Sequence, residues 1–117
     1  MGDGNKRKAA LGHLGEDRAT ALYRTHGYAV LARNWRCAAG EIDLICARGE
    51  TLVVCEVKAR SRTTHGHPLE AVTLAKQRRL RRLAAAFLRT QDRRWSEVRF
   101  DVVTMLGRTL HIVEGAF

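Results

Sequence analysis

Two short runs constrain this chain most: Gly40-Glu41-Ile42-Asp43-Leu44-Ile45 and Thr51-Leu52-Val53-Val54-Cys55-Glu56-Val57-Lys58. Both have the residue types of strands, yet Asp43, Glu56 and Lys58 are set inside them. A charge buried in an apolar strand is costly unless it has a partner. As strands, residues 41–47 put Glu41, Asp43, Ile45 and Ala47 on one face, and residues 51–58 put Leu52, Val54, Glu56 and Lys58 on one face. Arg48-Gly49-Glu50 lies between them, and a two-residue turn with Gly49 first suits a type II′ hairpin. That turn opposes Asp43 to Glu56 and Glu41 to Lys58. A three-residue turn would instead oppose Asp43 to Cys55 and turn the face over. In the first register two carboxylates face each other at about 5 Å, which is repulsive. Mg²⁺ or Mn²⁺ would reverse the sign, because hard cations choose carboxylate oxygens. The alternative is a wet hairpin in which Glu41 and Lys58 form an exposed cross-strand ion pair. Residues 51–55 are apolar on both faces, as expected of a strand covered on both sides that opens at its end into a cleft.

A chain of 117 residues makes one domain with one real core. With 45% apolar residues it is not a disordered sequence, and no apolar run approaches the ~20 residues of a membrane span. Residues 1–7 read as a flexible basic leader without the apolar core of a secretion signal, and residues 8–117 as the folded domain. The expectation is a soluble, cytoplasmic protein with no membrane partner. Cys37, Cys46 and Cys55 are odd in number and form no C-x-x-C pair, so no disulfide framework or zinc ribbon is indicated. In that first register Cys46 and Cys55 lie on the other face of the sheet from Asp43 and Glu56 and read as small core residues. His65-Gly66-His67 sits in a loop with the only proline, Pro68, and reads as surface.

The net charge of +9 points to a polyanionic partner. Much of it lies between Leu69 and Arg94, where eight basic residues (Lys76, Arg78, Arg79, Arg81, Arg82, Arg89, Arg93, Arg94) meet only Glu70 and Asp92. Val72, Leu80, Leu83, Ala84, Phe87 and Leu88 recur near helical spacing there, which predicts a long helix with an apolar stripe and basic outer faces. Phosphate contact from such a face gives affinity without sequence information. The rest of the chain predicts a first helix near 8–26 stopped by Gly27, a strand over 28–35, the hairpin strands, a loop over 61–68, a strand over 98–105 and a short strand over 110–113. The fold class is therefore α/β: a central mixed sheet, with a three-strand meander and one or two further strands, flanked by helices. Trp35 and Trp95 read as core anchors rather than base-stacking platforms.

Gly15-Glu16, Arg33-Asn34-Trp35-Arg36-Cys37, Gly40-Glu41-Ile42-Asp43-Leu44-Ile45, Val54-Cys55-Glu56-Val57-Lys58-Ala59-Arg60, Lys76-Gln77-Arg78-Arg79-Leu80 and Arg99-Phe100-Asp101-Val102-Val103 occur in this order. Together they resemble the YraN-like family of small bacterial proteins, over nearly the whole chain from about residue 8. That resemblance implies a single-domain restriction-endonuclease-like fold, similar to the archaeal Holliday-junction resolvases. It places the D…E-x-K signature of those nucleases on Asp43, Glu56 and Lys58, a helix-borne acid on Glu16, and a further site position on Gln77. The proline that commonly precedes the signature aspartate is Ile42 here.

The resemblance implies Mg²⁺-dependent (or Mn²⁺-dependent) hydrolysis of phosphodiester bonds. Asp43, Glu56 and the Val57 carbonyl would hold one ion, and Glu16 would complete the shell or hold a second. Lys58 would orient the attacking water or stabilise the phosphate. Arg60, Arg62, Lys76, Arg78, Arg79, Arg81 and Arg82 would follow the backbone of DNA, with branched DNA and a homodimer suggested by the resolvase likeness. A second class of function stays open: a DNA-binding subunit or adaptor in repair or recombination that keeps the fold with little turnover. RNA is a weaker third option. Asp101 is expected to support the fold.

Overall fold

The computed structural model describes residues 2–60 and 72–117. Arg62 and the His65-Gly66-His67 loop lie outside the described residues. In chain order the elements are α1 (Gly2–Thr25), β1 (Ala29–Cys37), β2 (Gly40–Arg48), β3 (Thr51–Arg60), α2 (Leu74–Arg89), β4 (Glu97–Leu106) and β5 (Thr109–Val113). The five strands form one mixed sheet in the order β1-β2-β3-β4-β5, in which only β3 and β4 run parallel. Parallel neighbours need a crossover, and the segment containing α2 supplies it.

The expected turn is present. Arg48 pairs with Thr51, and φ is +58° at Gly49 but not positive at Glu50, the type II′ pattern. β3 is the central strand, and Leu52, Val53, Val54 and Cys55 are all buried on its two faces. One face packs under α2 through Ile45, Leu52, Val54, Leu80, Leu83, Phe87 and Val102. The other packs under α1 through Ala19, Tyr23, Leu44, Cys46, Val53, Cys55 and Val103. Cys46 and Cys55 are therefore the small core residues expected, with burial pushing the Cys46 thiol up to about 12. Trp35 and Trp95 both pack against the α2-side core, Trp35 edge-on to Phe87 at 5.5 Å.

Both helices differ from the expected spans. α1 begins at Gly2, taking in the stretch read as a leader, since residues 2–10 contain no proline and include Lys6, Arg7, Lys8, Ala9 and Ala10, all good helix formers. It ends as Gly27 predicts. Gly27 adopts φ +83°, the Gly27 N–H donates to Arg24 O and the Tyr28 N–H donates to Tyr23 O, which is a Schellman cap. α2 is shorter than the basic segment because its ends are capped. The Thr73 hydroxyl accepts the Lys76 N–H at 3.2 Å, and Thr90 Oγ1 donates to Phe87 O at 2.6 Å. Arg93 and Arg94 consequently lie beyond the helix.

Asp101 is a structural hub, as expected. It is 1% exposed and accepts from Tyr23 Oη at 2.7 Å, from Arg99 Nε and Nη2 at 2.9 Å each, and from the Gly115 N–H at 3.0 Å. α1, β4 and the C-terminal segment are joined at one carboxylate.

Candidate active site

β2 and β3 pair from the turn inward and then part. The register runs from Arg48↔Thr51 to Leu44↔Cys55 and stops there. Asp43 does not continue it opposite Glu56. Its Oδ2 accepts the Val57 N–H at 2.8 Å, so a side chain satisfies a β3 donor where the ladder has ended. The pleat slips at the same place: strict alternation would send Ile42 to the α1 side with Leu44, yet Ile42 is buried with Ile45 in the α2-side core. Asp43 is thereby turned toward β3 instead of standing on one face.

The parting also rearranges the charges. Glu41 does not meet Lys58; it pairs with Arg36 Nε across β1 at 3.1 Å. Lys58 Nζ meets Glu56 Oε1 on its own strand at 3.2 Å. Glu56 and Lys58 continue the alternation of Leu52 and Val54 and so stand on the α2 side, where the Lys58 ammonium meets Lys76. Burial alone would lower the Lys58 pKa, but the neighbouring Glu56 and Asp43 carboxylates favour its charged form and raise it. Lys76, pressed against Lys58 and partly buried, is lowered.

Asp43 carries the clearest electrostatic signature. Burial first, then the neighbouring Glu56 charge, push its carboxyl up to about 7; the Val57 N–H opposes them, and Glu16 and Glu41 add to the rise. Glu16 reaches this field because α1 lies close on β3. A Cβ on Gly15 would stand 3.3 Å from the Ala59 Cβ and 3.6 Å from Val57 Cγ1, so the missing side chain permits the approach. Asn34 Nδ2 donates to Glu16 Oε2 at 3.2 Å from a strand residue with φ +51°, a conformation that asparagine tolerates.

The structure thus brings Asp43, Glu56, Lys58, Val57, Glu16 and Lys76 to one end of the sheet. Gln77 Nε2 donates to Val72 O at 3.2 Å and ties the first turn of α2 to the segment before it. Arg81 lies over the rings of Phe100 and Phe117, at 4.8 and 5.6 Å, and packs the C-terminal segment onto β4. Arg78, Arg79 and Arg82 are exposed on α2 with no carboxylate partner among the described residues, and Arg60 closes β3. Two residues at the site were not anticipated. Asn34 holds Glu16, and its only sequence signal is a turn-forming residue inside a strand. Thr104, paired with Lys58 across β4, is 6% exposed, and its Oγ1 is buried with no hydrogen-bond partner among the described residues. Its signal is a hydroxyl in the apolar run Val102-Val103-Thr104-Met105. Among the described residues no three His, Cys, Asp or Glu side chains stand close enough to hold an ion as they are.

These features define a small α/β protein with an acid–lysine cluster where two strands of a mixed sheet separate. The chain belongs to the uncharacterised protein family UPF0102, whose model matches residues 15–105. It is 50% identical over 97 residues to a UPF0102 protein of Rhodococcus opacus, an overlap of 83% of this chain and 82% of that one. To a UPF0102 protein of Acidothermus cellulolyticus it is 44% identical over 125 residues, covering 94% and 95% of the two chains. A UPF0102 protein of Beutenbergia cavernae is 50% identical over 101 residues, 86% of each.

Proposed function

We propose that this protein is a divalent-cation-dependent nuclease of the restriction-endonuclease-like type, hydrolysing phosphodiester bonds in DNA. The observation that carries the reading is the parting of β2 and β3 at Asp43. It gathers Asp43, Glu56 and Lys58 at one sheet end, with the Asp43 carboxyl raised to about 7 by burial first and then by the neighbouring Glu56 carboxylate. Hard oxygen donors in mutual repulsion fit a cation such as Mg²⁺, which is commonly held by one or two carboxylates together with waters and substrate phosphates. Asp43, Glu56 and the Val57 carbonyl would hold it, with Glu16 beside them. When bound, such an ion lowers the pKa of a coordinated water and neutralises charge on the phosphate. Lys58 stays cationic under the Glu56 and Asp43 carboxylates and so suits stabilisation of the developing phosphate charge better than proton abstraction. Arg78, Arg79 and Arg82 present exposed guanidiniums to the backbone.

The second reading is a DNA-binding subunit or adaptor that keeps the fold with little turnover. It draws on the lack of a ready-made three-ligand cage among the described residues and on the engagement of Gln77 with Val72. Single-stranded, duplex, flap and four-way DNA incubated with Mg²⁺, Mn²⁺ or chelator separates the two. Ion-dependent cutting that Asp43→Ala and Lys58→Ala abolish while binding persists supports the enzyme. Binding by the parent protein with no cutting of any structure by either ion supports the module.

A further inference from the structure

At the far end of α2 from this cluster lies a groove of about 440 Å³, lined by Leu88, Arg89, Gln91, Arg93, Arg94 and Trp95. Among the described residues no carboxylate lines it. Arg89 and Arg94 are exposed and have no acidic partner among the described residues. Arg93 is fixed in place: its Nη2 donates to Gly49 O at 2.6 Å, and its guanidinium lies 5.0 Å from the Trp95 ring centroid. Its contact with Glu50 is long, 3.9 Å between largely exposed groups, and neutralises it little. Trp95 lines the groove, and its indole Nε1 is buried with no acceptor among the described residues.

Arg78, Arg82 and Arg89 occur at i, i+4 and i+11 and share one face of the helix, forming a row that leads from the end of α2 nearest the carboxylates to this groove. Both ends belong to the α2 side of the sheet, because Glu56 and Lys58 face Lys76 and Trp95 packs on the α2-side core. From Lys76 to Arg89 the helix rises about 20 Å at ~1.5 Å per residue. Along a duplex, at 3.4 Å per base pair, that distance corresponds to about six base pairs.

We infer that the Arg89–Arg94–Trp95 groove is a second nucleic-acid contact, which takes a backbone phosphate of the substrate arm about six base pairs from the Asp43–Glu56 cluster. This rests on the reading of the protein as one that binds DNA, and it adds a length requirement: duplexes too short to reach the groove lose its contribution. Guanidiniums are suited to the task by their fork of donors, and a stacked arginine is already held in its bound geometry.

The test is fluorescence anisotropy of end-labelled duplexes from about six to about twenty base pairs, with the parent protein, Arg89→Ala/Arg94→Ala and, as a charge control on α1, Arg24→Ala. The double variant should bind long duplexes roughly tenfold more weakly, with a salt slope lower by about two, and the shortest duplex as the parent does; Arg24→Ala should match the parent. Trp95 emission, read in a Trp35→Phe background, should change with the long duplex and not with the short one. A double variant that keeps the parent's affinity and length dependence overturns the groove and leaves the proposed function standing. Failure of the parent to bind any duplex overturns both.

Discussion

Replacing Asp43 by asparagine should stabilise the protein above neutral pH and leave it nearly unchanged in acid. The folded protein lifts this carboxyl from its ordinary 3.8 to about 7, so the folded state holds the proton more tightly than the unfolded chain does. Stability is therefore complete below about pH 4, falls as pH rises toward the folded value, and above about pH 7 is lower by the full amount. At ~1.36 kcal/mol per pH unit the full amount is about 4 kcal/mol. Asp43 is only half-buried, and solvent screening reduces this to ~2 kcal/mol. Asparagine keeps an oxygen for the Val57 N–H and removes the charge that Glu56, Glu16 and Glu41 repel. Urea unfolding in chelator near pH 5 and pH 8 measures the difference: the variant's midpoint should exceed the parent's clearly at the higher pH and only slightly at the lower one. Adding Mg²⁺ at pH 8 should then stabilise the parent, by about 2.7 kcal/mol at a hundredfold excess over Kd, and not the variant. An advantage for the variant that does not grow between the two pH values would refute the electrostatic account of Asp43. Equal stabilisation of both proteins by Mg²⁺ would refute its place in an ion site.

Two further substitutions probe how the fold supports this end of the sheet. Gly15→Val puts branched carbon where a Cβ already meets Ala59 at 3.3 Å; α1 should be forced off β3 at about 1–3 kcal/mol, lowering the melting temperature and displacing Glu16 so that any ion-dependent cutting falls as well. Asp101→Ala leaves Arg99, Tyr23 and the Gly115 N–H without their shared acceptor and should cost about 3–5 kcal/mol in urea unfolding, whereas Tyr23→Phe, which removes one of those donors, should cost about 1–2 kcal/mol.

Much of the fold was legible from local chemistry. Runs of strand-forming residues marked the strands, Gly49 set the hairpin turn, Gly27 stopped α1, and the apolar stripe of α2 named its buried face. The helix boundaries were less so, since the caps at Thr73 and Thr90 are side-chain bonds that outweigh a continuous helical pattern. The acids were legible as candidates, because charge inside an apolar strand is costly and draws attention to Asp43, Glu56 and Lys58.

What the amino-acid order determined by itself was the kind of protein: alternating strands, two amphipathic helices, a basic surface and a few misplaced charges, all consequences of spacing along one chain. Only the tertiary structure decided how those charges meet. The hairpin register is right at the turn and ends at Leu44↔Cys55, and there Asp43 takes the Val57 N–H, Glu41 goes to Arg36, and Lys58 faces Glu56 and Lys76. These partners come from three strands and a helix, and a backbone donor freed at the end of a ladder is satisfied by whichever group packing brings within reach.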